Sequence, residues 1–190
     1  LYEITDSVWQ IAMDIRPLRP HFTTSPGLGT GFGSFAFHPD FNENGLLYTT
    51  HAEKVHATRG DLGFADSVKV GLQWVLTEWK IKDAAKLPFM GHSRELLRVD
   101  LLTIAHGVQE IAFNPLVAKG HEEYGLLYIG IGDGGAAEKK GFYPLCSSTQ
   151  IASSSVLRID PLGRNSANKQ YGIPPTNPFV NELDPTVLKE

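Results

Sequence analysis

The sequence predicts an all-β fold, a partial β-propeller of four-stranded antiparallel blades with about three blades present. The first observation is a repeat, since residues 36–48 read AFHPDFNENGLLY and residues 112–128 read AFNPLVAKGHEEYGLLY. The second is an echo, in which residues 96–100, LLRVD, resemble residues 156–160, VLRID. The third is the presence of 19 glycines and 12 prolines, which divide the chain into short segments. Such recurrence indicates repeated supersecondary units, which a β-sandwich would not predict.

Helical patterns are weak throughout, and short apolar and β-branched runs predict strands instead. Residues 74–81, WVLTEWKI, alternate as a half-solvated antiparallel strand does. The predicted strands are residues 7–15, 32–37, 46–50, 72–81, 95–99, 110–113, 126–131 and 156–159.

Each copy of the repeat is predicted to be a β-hairpin. Residues 35–37 and 111–113 are short buried strands, and Pro39 and Pro115 end them because proline lacks the N–H that a strand ladder needs. A polar turn containing glycine follows, and Leu-Leu-Tyr returns as the partner strand. LLRVD and VLRID are then outer strands, so the order is hairpin, outer strand, hairpin, outer strand. We expect His38, at the end of the first strand, to cap its turn.

Length, composition and charge predict one soluble globular domain over residues 1–190. The chain is 42% hydrophobic and 20% charged, which suits a folded domain with a substantial core. Its net charge of −4 comes from interspersed residues and gives no electrostatic footprint for nucleic acid. No apolar run approaches the roughly 20 residues of a membrane-spanning helix, so we expect no membrane span.

The single cysteine and the first residues indicate little about the compartment. Cys146 has no partner for an internal disulfide, and a free thiol in a loop is a commoner use of such a residue than a nucleophile. The opening LYEITDSVWQ lacks the pattern of a signal peptide and begins in strand-like sequence. We therefore expect the chain to start inside a larger precursor.

Two irregular regions and several polar residues are weaker candidates for a site. Residues 51–71 read as a long insertion, and residues 161–190 are rich in proline, asparagine and glycine. The glycines of residues 27–33 are interpreted as a tight loop, because no helix and lysine follow as in a phosphate cradle. Neither the histidines nor the carboxylates show metal spacing, so a solvated surface is favoured and no metal site is predicted. The histidines placed in loops are His51, His56, His92 and His121, and the carboxylates are Asp61, Asp66, Glu122 and Glu123.

Two residues are the candidates for catalysis. Asp133 follows a buried strand within IGIGDGG, where glycines allow close backbone approach, although a plain turn aspartate is an equal alternative. His106 precedes the second hairpin, and the start of its first strand lies beside the end of its second. His106 and Asp133 would then be a base and the carboxylate that orients it. The alternative is a loop histidine without a partner.

These motifs resemble those of the glucose/sorbosone dehydrogenase family, the soluble PQQ-dependent aldose sugar dehydrogenases, which are six-bladed β-propellers. The resemblance covers nearly all of the chain, in the family's order. The matching segments are residues 33–48 with GLLGIAFHPDF…GxLY, 106–113 with HxxGxLAF, 127–135 with LYxTxGDxG, 156–161 with VLRIDPxG and 172–179 with GIPxxNPF.

The resemblance implies a function. His106 matches the general base that takes the proton of a sugar hydroxyl while hydride moves to PQQ, and it would also contact that cofactor. Asp133 matches the aspartate paired with the histidine. The family also implies a small sugar substrate, a periplasmic or secreted location, and calcium, whose ligands we expect outside this chain.

Departures from the family pattern keep alternatives open. Gly29 lies where a quinone-contacting glutamine is common, Val108 and Gln109 replace a glycine pair, and Ser155 replaces a glycine. A non-catalytic propeller that serves as a binding module is therefore the alternative, and a lactonase with a central calcium is weaker. At roughly 60–80 residues per repeat the chain makes about half of a ring. The remaining blades would come from a longer chain or from a second copy.

Overall fold

The computed structural model describes residues 1–27, 29–57 and 59–190, and over these residues it confirms the all-β prediction. Three antiparallel sheets have the strand orders β1-β2, β3-β4-β5-β6 and β7-β8-β9. The strands are β1 Tyr2–Thr5, β2 Val8–Ile11, β3 Phe32–Phe37, β4 Leu46–Glu53, β5 Leu72–Ile81, β6 Gly91–Leu101, β7 Glu110–Phe113, β8 Leu127–Ile131 and β9 Ser155–Ile159. The helical elements are α1 Phe41–Asn44 and two 3₁₀ turns, Arg16–Leu18 and Tyr143–Ser147.

Both copies of the repeat form the predicted hairpins in the same register. Ala36 lies opposite Tyr48 in the β3–β4 pair, and Ala112 lies opposite Tyr128 in the β7–β8 pair. The first turn contains α1, and His38 organises it, because its Nδ1 accepts a hydrogen bond from the Asp40 N–H at 3.0 Å. The repeated amino-acid sequence therefore gives the same strand pairing in both hairpins, as expected for consecutive blades of a propeller.

The echoed segments occupy different places, which corrects one expectation. LLRVD lies in β6, the fourth strand of its sheet, whereas VLRID lies mainly in β9, the third strand of the next. The strand equivalent to β9 is β5, since each follows a hairpin and pairs with its second strand. The alternation of apolar and polar residues is common to half-buried strands at any position, so it did not specify the place in the sheet.

Several predicted boundaries and loop positions also change. The strand predicted over residues 7–15 is shorter, because Asp6 and Ser7, with φ of 48° and 67°, form the turn between β1 and β2, and β2 ends at Ile11. His51 and His92 lie in β4 and β6 rather than in loops. The glycine-rich stretch of residues 27–33 includes Leu28, which lies outside the described residues.

The main core lies between the β3–β6 sheet and the β7–β9 sheet. Tyr48 and Trp74 from the first sheet pack with Leu127 and Ile129 from the second, and all four side chains are fully buried. Tyr171, from the irregular segment of residues 161–190, completes this core. Face-to-face packing of two sheets is the arrangement of neighbouring propeller blades. In the described part of the chain, no helix has the length and hydropathy to cross a membrane.

Candidate active site

The second hairpin brings His106 and Asp133 together. His106 precedes β7 and Asp133 follows β8, and these strands pair with Glu110 opposite Gly130. Backbone hydrogen bonds continue beyond the strands, from the Gly134 N–H to the His106 carbonyl at 3.2 Å. The Nδ1 atom of His106 lies 2.6 Å from the Oδ1 atom of Asp133. This geometry is a short hydrogen bond between an imidazole and a carboxyl group.

The Asp133 carboxylate is held by two backbone donors as well as by the imidazole. Its Oδ2 accepts from the Ala137 N–H at 2.8 Å, and its Oδ1 accepts from the Gly135 N–H at 3.2 Å. Burial alone would raise the pKa of Asp133, but the hydrogen bonds from Ala137, His106 and Gly135 outweigh it and lower the pKa. The group is therefore a carboxylate at neutral pH.

The carboxylate decides which nitrogen of His106 carries the proton. An ionised carboxyl group only accepts hydrogen bonds, so the neutral imidazole donates from Nδ1 and keeps a lone pair on Nε2. The His106 side chain is 58% exposed, whereas that of Asp133 is 15% exposed. The pair thus has the form of a base that faces outward and a carboxylate that orients it from behind.

The backbone of His106 is strained. Its φ is 51°, in the left-handed region that residues other than glycine rarely adopt. Such a conformation costs about 1–3 kcal/mol and persists only where the surroundings hold it. Beneath the next residue, Gly107, lies the buried indole of Trp74, so close that a Cβ on Gly107 would be 2.0 Å from its Nε1. Close packing on this side keeps the loop in place.

Gly29 lies against the same loop. A Cβ at position 29 would be 3.0 Å from the backbone nitrogen of His106. Position 29, near which members of the resembled family often carry a glutamine, therefore lies beside His106, and here it presents no side chain. This contact links the first irregular segment to the second hairpin.

The other sequence candidates lie elsewhere. Within the described residues, no group of three or more His, Cys, Asp or Glu side chains is placed to hold a metal ion. The carboxylate of Asp61 accepts the Arg98 N–H at 2.8 Å, and Glu123 pairs with Arg158 at 2.8 Å. Cys146 is a half-buried free thiol in the second 3₁₀ turn.

A buried polar cluster was not predicted from the sequence. Glu53 on β4 contacts His51 at 2.9 Å, His56 at 2.7 Å and Arg98 of β6 at 2.9 Å. The signal in the sequence was the pair of ionisable residues two positions apart, His51 and Glu53, but two residues are too few to indicate a buried cluster. The cluster joins β4 to β6, and in the described part of the chain its residues form no hydrogen bond or ion pair with His106 or Asp133.

No protein-family model matches the chain. Among solved structures, it is similar to a glucose dehydrogenase with a TM-score of 0.54 and 17% identity, over 86% of this chain and 37% of that one. A second glucose dehydrogenase has a TM-score of 0.52 and 16% identity, over 82% and 36%. The soluble aldose sugar dehydrogenase of Escherichia coli, in its apo form, has a TM-score of 0.50 and 18% identity, over 86% and 37%. The chain thus shares their fold and spans little more than a third of their length.

Proposed function

We propose that the chain is part of a PQQ-dependent aldose sugar dehydrogenase in which His106 is the general base. The observation that carries the proposal is the 2.6 Å contact between His106 Nδ1 and Asp133 Oδ1. It supports the proposal because it occurs where the family motifs place the catalytic pair, in a fold shared with glucose and aldose sugar dehydrogenases. Residues 1–190 would form one partial propeller domain.

In the proposed reaction, the pair moves one proton. Nε2 of His106 accepts the proton of the sugar hydroxyl as the C–H bond beside it gives up hydride. The quinone, when bound, supplies the acceptor for that hydride. The Asp133 carboxylate keeps the imidazole in the Nδ1–H tautomer beforehand and stabilises the imidazolium afterwards. The hydrogen bonds from Gly135 and Ala137 keep the carboxylate ionised throughout.

The residues of this chain fit one side of the quinone site. The exposed His106 suits the side where the proton leaves the sugar. PQQ is a tricarboxylate, and among the described residues neither lysine nor arginine forms an ion pair with Asp133 or a hydrogen bond to His106. We propose that cationic groups and calcium ligands belong to further blades, supplied by a longer chain or a second copy. The share of 37% that the chain covers of a glucose dehydrogenase supports this.

A binding module without catalysis is the second candidate. The absence of a side chain at Gly29, beside the backbone of His106, favours it, because that position would otherwise help to enclose a ligand. In this reading His106 and Asp133 close the hairpin and have no chemical role. A periplasmic or secreted location remains part of both proposals through the family resemblance.

The test is quinone-dependent oxidation of aldoses. A propeller that includes the remaining blades, from a longer chain or a second copy, is mixed with PQQ and calcium, quinone binding is followed by absorbance, and dye reduction is measured with a panel of aldoses. The His106→Ala variant should lose activity by about 10²–10⁴-fold. His92→Ala, which removes an exposed histidine of β6, is the matched control and should retain it. Activity that survives His106→Ala refutes the base, and quinone binding without aldose oxidation supports the binding module.

A further inference from the structure

We propose that Thr103 is a positioning residue for the His106–Asp133 pair. Its hydroxyl joins the loop that carries His106 to the loop that carries Asp133, and this keeps the imidazole in its Nδ1–H tautomer. The inference rests on the proposed function for the use of the pair, but the positioning itself is a property of the protein without substrate.

The contacts of Thr103 reach both loops. Its backbone N–H and its Oγ1 each lie 3.0 Å from the Gly134 carbonyl oxygen, to which both donate. The same Oγ1 accepts from the Ala105 N–H at 3.1 Å. A hydroxyl group has one hydrogen to donate and lone pairs to accept, so a single oxygen satisfies both contacts. Gly134 follows Asp133 and Ala105 precedes His106, so the bridge closes directly around the pair.

The Thr103 side chain also packs against the residue that donates to Asp133. A Cβ at position 135 would lie 2.3 Å from the Thr103 Oγ1 and 2.9 Å from its Cγ2. Only glycine therefore allows Thr103 this close to the backbone. Since the Gly135 N–H donates to Asp133 Oδ1, the Thr103 contact helps to set the direction of that donor.

The strain at His106 explains why the bridge is needed. A residue with φ of 51° relaxes towards negative φ unless its neighbours hold it. The Oγ1 acceptor fixes the Ala105 N–H on one side, and the Gly134 N–H bonds the His106 carbonyl on the other. Without the hydroxyl, the first of these anchors is lost. The imidazole can then turn away from Asp133 and take up the Nε2–H tautomer.

The experiment reads the tautomer directly by ¹⁵N NMR of the histidine rings in the full chain. Thr103→Val keeps the branched shape and removes the hydroxyl, while Thr103→Ser keeps the hydroxyl. We expect Thr103→Val to lower the ratio of Nδ1–H to Nε2–H at His106 by roughly five- to ten-fold, the weight of one hydrogen bond. Thr103→Ser, which keeps the hydroxyl group, should keep the wild-type ratio of the two tautomers. His121 is an internal reference, because its Nδ1 accepts the Glu123 N–H at 3.2 Å and its Nε2 must carry the proton.

The outcomes separate positioning from loop closure alone. A folded Thr103→Val variant with an unchanged His106 tautomer overturns the proposal, even if its stability is lower. If this variant does not fold, the hydrogen-exchange rate of the Ala105 amide is measured in the wild-type protein instead. Slow exchange of this amide supports its hydrogen bond to Thr103, and exchange as fast as in an unfolded chain overturns the proposal. A tautomer change in a complete propeller that binds PQQ but oxidises no aldose refutes the proposed function and leaves the positioning role intact.

Discussion

The backbone of Gly132 lies directly against the carbonyl group of His106. A Cβ at position 132 would be 2.3 Å from the His106 oxygen and 2.8 Å from its carbonyl carbon. This approach lets the two loops share backbone hydrogen bonds beyond the ends of β7 and β8, including one from the Gly132 N–H to the Gly107 carbonyl at 3.1 Å. The glycine is thus a condition for the contact between His106 and Asp133.

Gly132→Ala should therefore destabilise the protein and disturb the contact between His106 and Asp133. The new methyl group must push the His106 backbone away, and overpacking of this kind costs about 1–3 kcal/mol. Gly130→Ala, in β8 two residues before Gly132, is the control, because its Cβ would meet Glu110 at an ordinary 3.6 Å. Urea denaturation and the ¹⁵N spectrum of His106 measure both effects. Equal unfolding midpoints for the two variants would contradict the close approach.

Asp133→Asn should remove the base without removing the hydrogen bond. The amide group can donate to Nδ1 of His106, which selects the Nε2–H tautomer and leaves no lone pair on the outward nitrogen. We expect aldose oxidation to fall by about 10²–10⁴-fold. Stability should fall by about 1 kcal/mol, because the amide nitrogen facing Nδ1 cannot accept the hydrogen bond from the Gly135 N–H. Asp184→Asn, at an exposed turn bonded to Thr186, is the control. Full activity in Asp133→Asn would exclude an orienting carboxylate.

Acid should destabilise the protein through His51. Burial lowers the pKa of His51, and the positive charges of Arg19 and Arg98 act in the same direction; together they outweigh Glu53, which accepts a hydrogen bond from His51 and raises the pKa. The unfolded chain, with a pKa of about 6.5, then binds the proton more readily than the folded protein. The stability that His51 contributes is present above about pH 6.5 and is lost as pH falls towards the folded pKa.

The measurement is the free energy of unfolding by urea between about pH 7.5 and 5.5. His51→Gln should flatten its dependence on pH, whereas His121→Gln, at an exposed loop position, should leave the slope unchanged. If the free energy of unfolding depended on pH equally steeply in the wild type and in His51→Gln, another group would be the cause of the lost stability.

Arg98→Met should strongly destabilise the first sheet. Arg98 is 7% exposed at its side chain, and it pairs with Glu53 at 2.9 Å and Glu95 at 2.8 Å. Removing Arg98 leaves the buried Glu53 carboxylate with only His51 and His56 as partners, and breaking a buried ion pair costs about 3–5 kcal/mol. Lys119→Met is the control, since Lys119 bridges Asp40 and Glu43 at the surface and its loss should change stability little. Equal thermal midpoints for the two variants would show that the buried ion pair contributes no more to stability than the exposed one.

The local amino-acid sequence was sufficient to predict both hairpins and one contact between residues that are distant along the chain. Proline at the end of each first strand and Gly-Leu-Leu-Tyr at the start of each second strand specify both partners within a short stretch. Antiparallel pairing then places the residue before the first strand beside the residue after the second, so the contact between His106 and Asp133 was predictable. The two-residue turn at Asp6 and Ser7 was missed, because neither residue is the glycine that usually marks left-handed backbone.

The sequence by itself determined the class of fold, the two inner hairpins and the pairing of His106 with Asp133, since these depend on neighbours along the chain. Tertiary structure alone decided the strained backbone of His106, the bridge from Thr103 and the burial of Glu53 with Arg98. The physical reason is that each depends on contacts between distant segments. A hydroxyl group or a charge acquires its role only from the partner that packing places beside it.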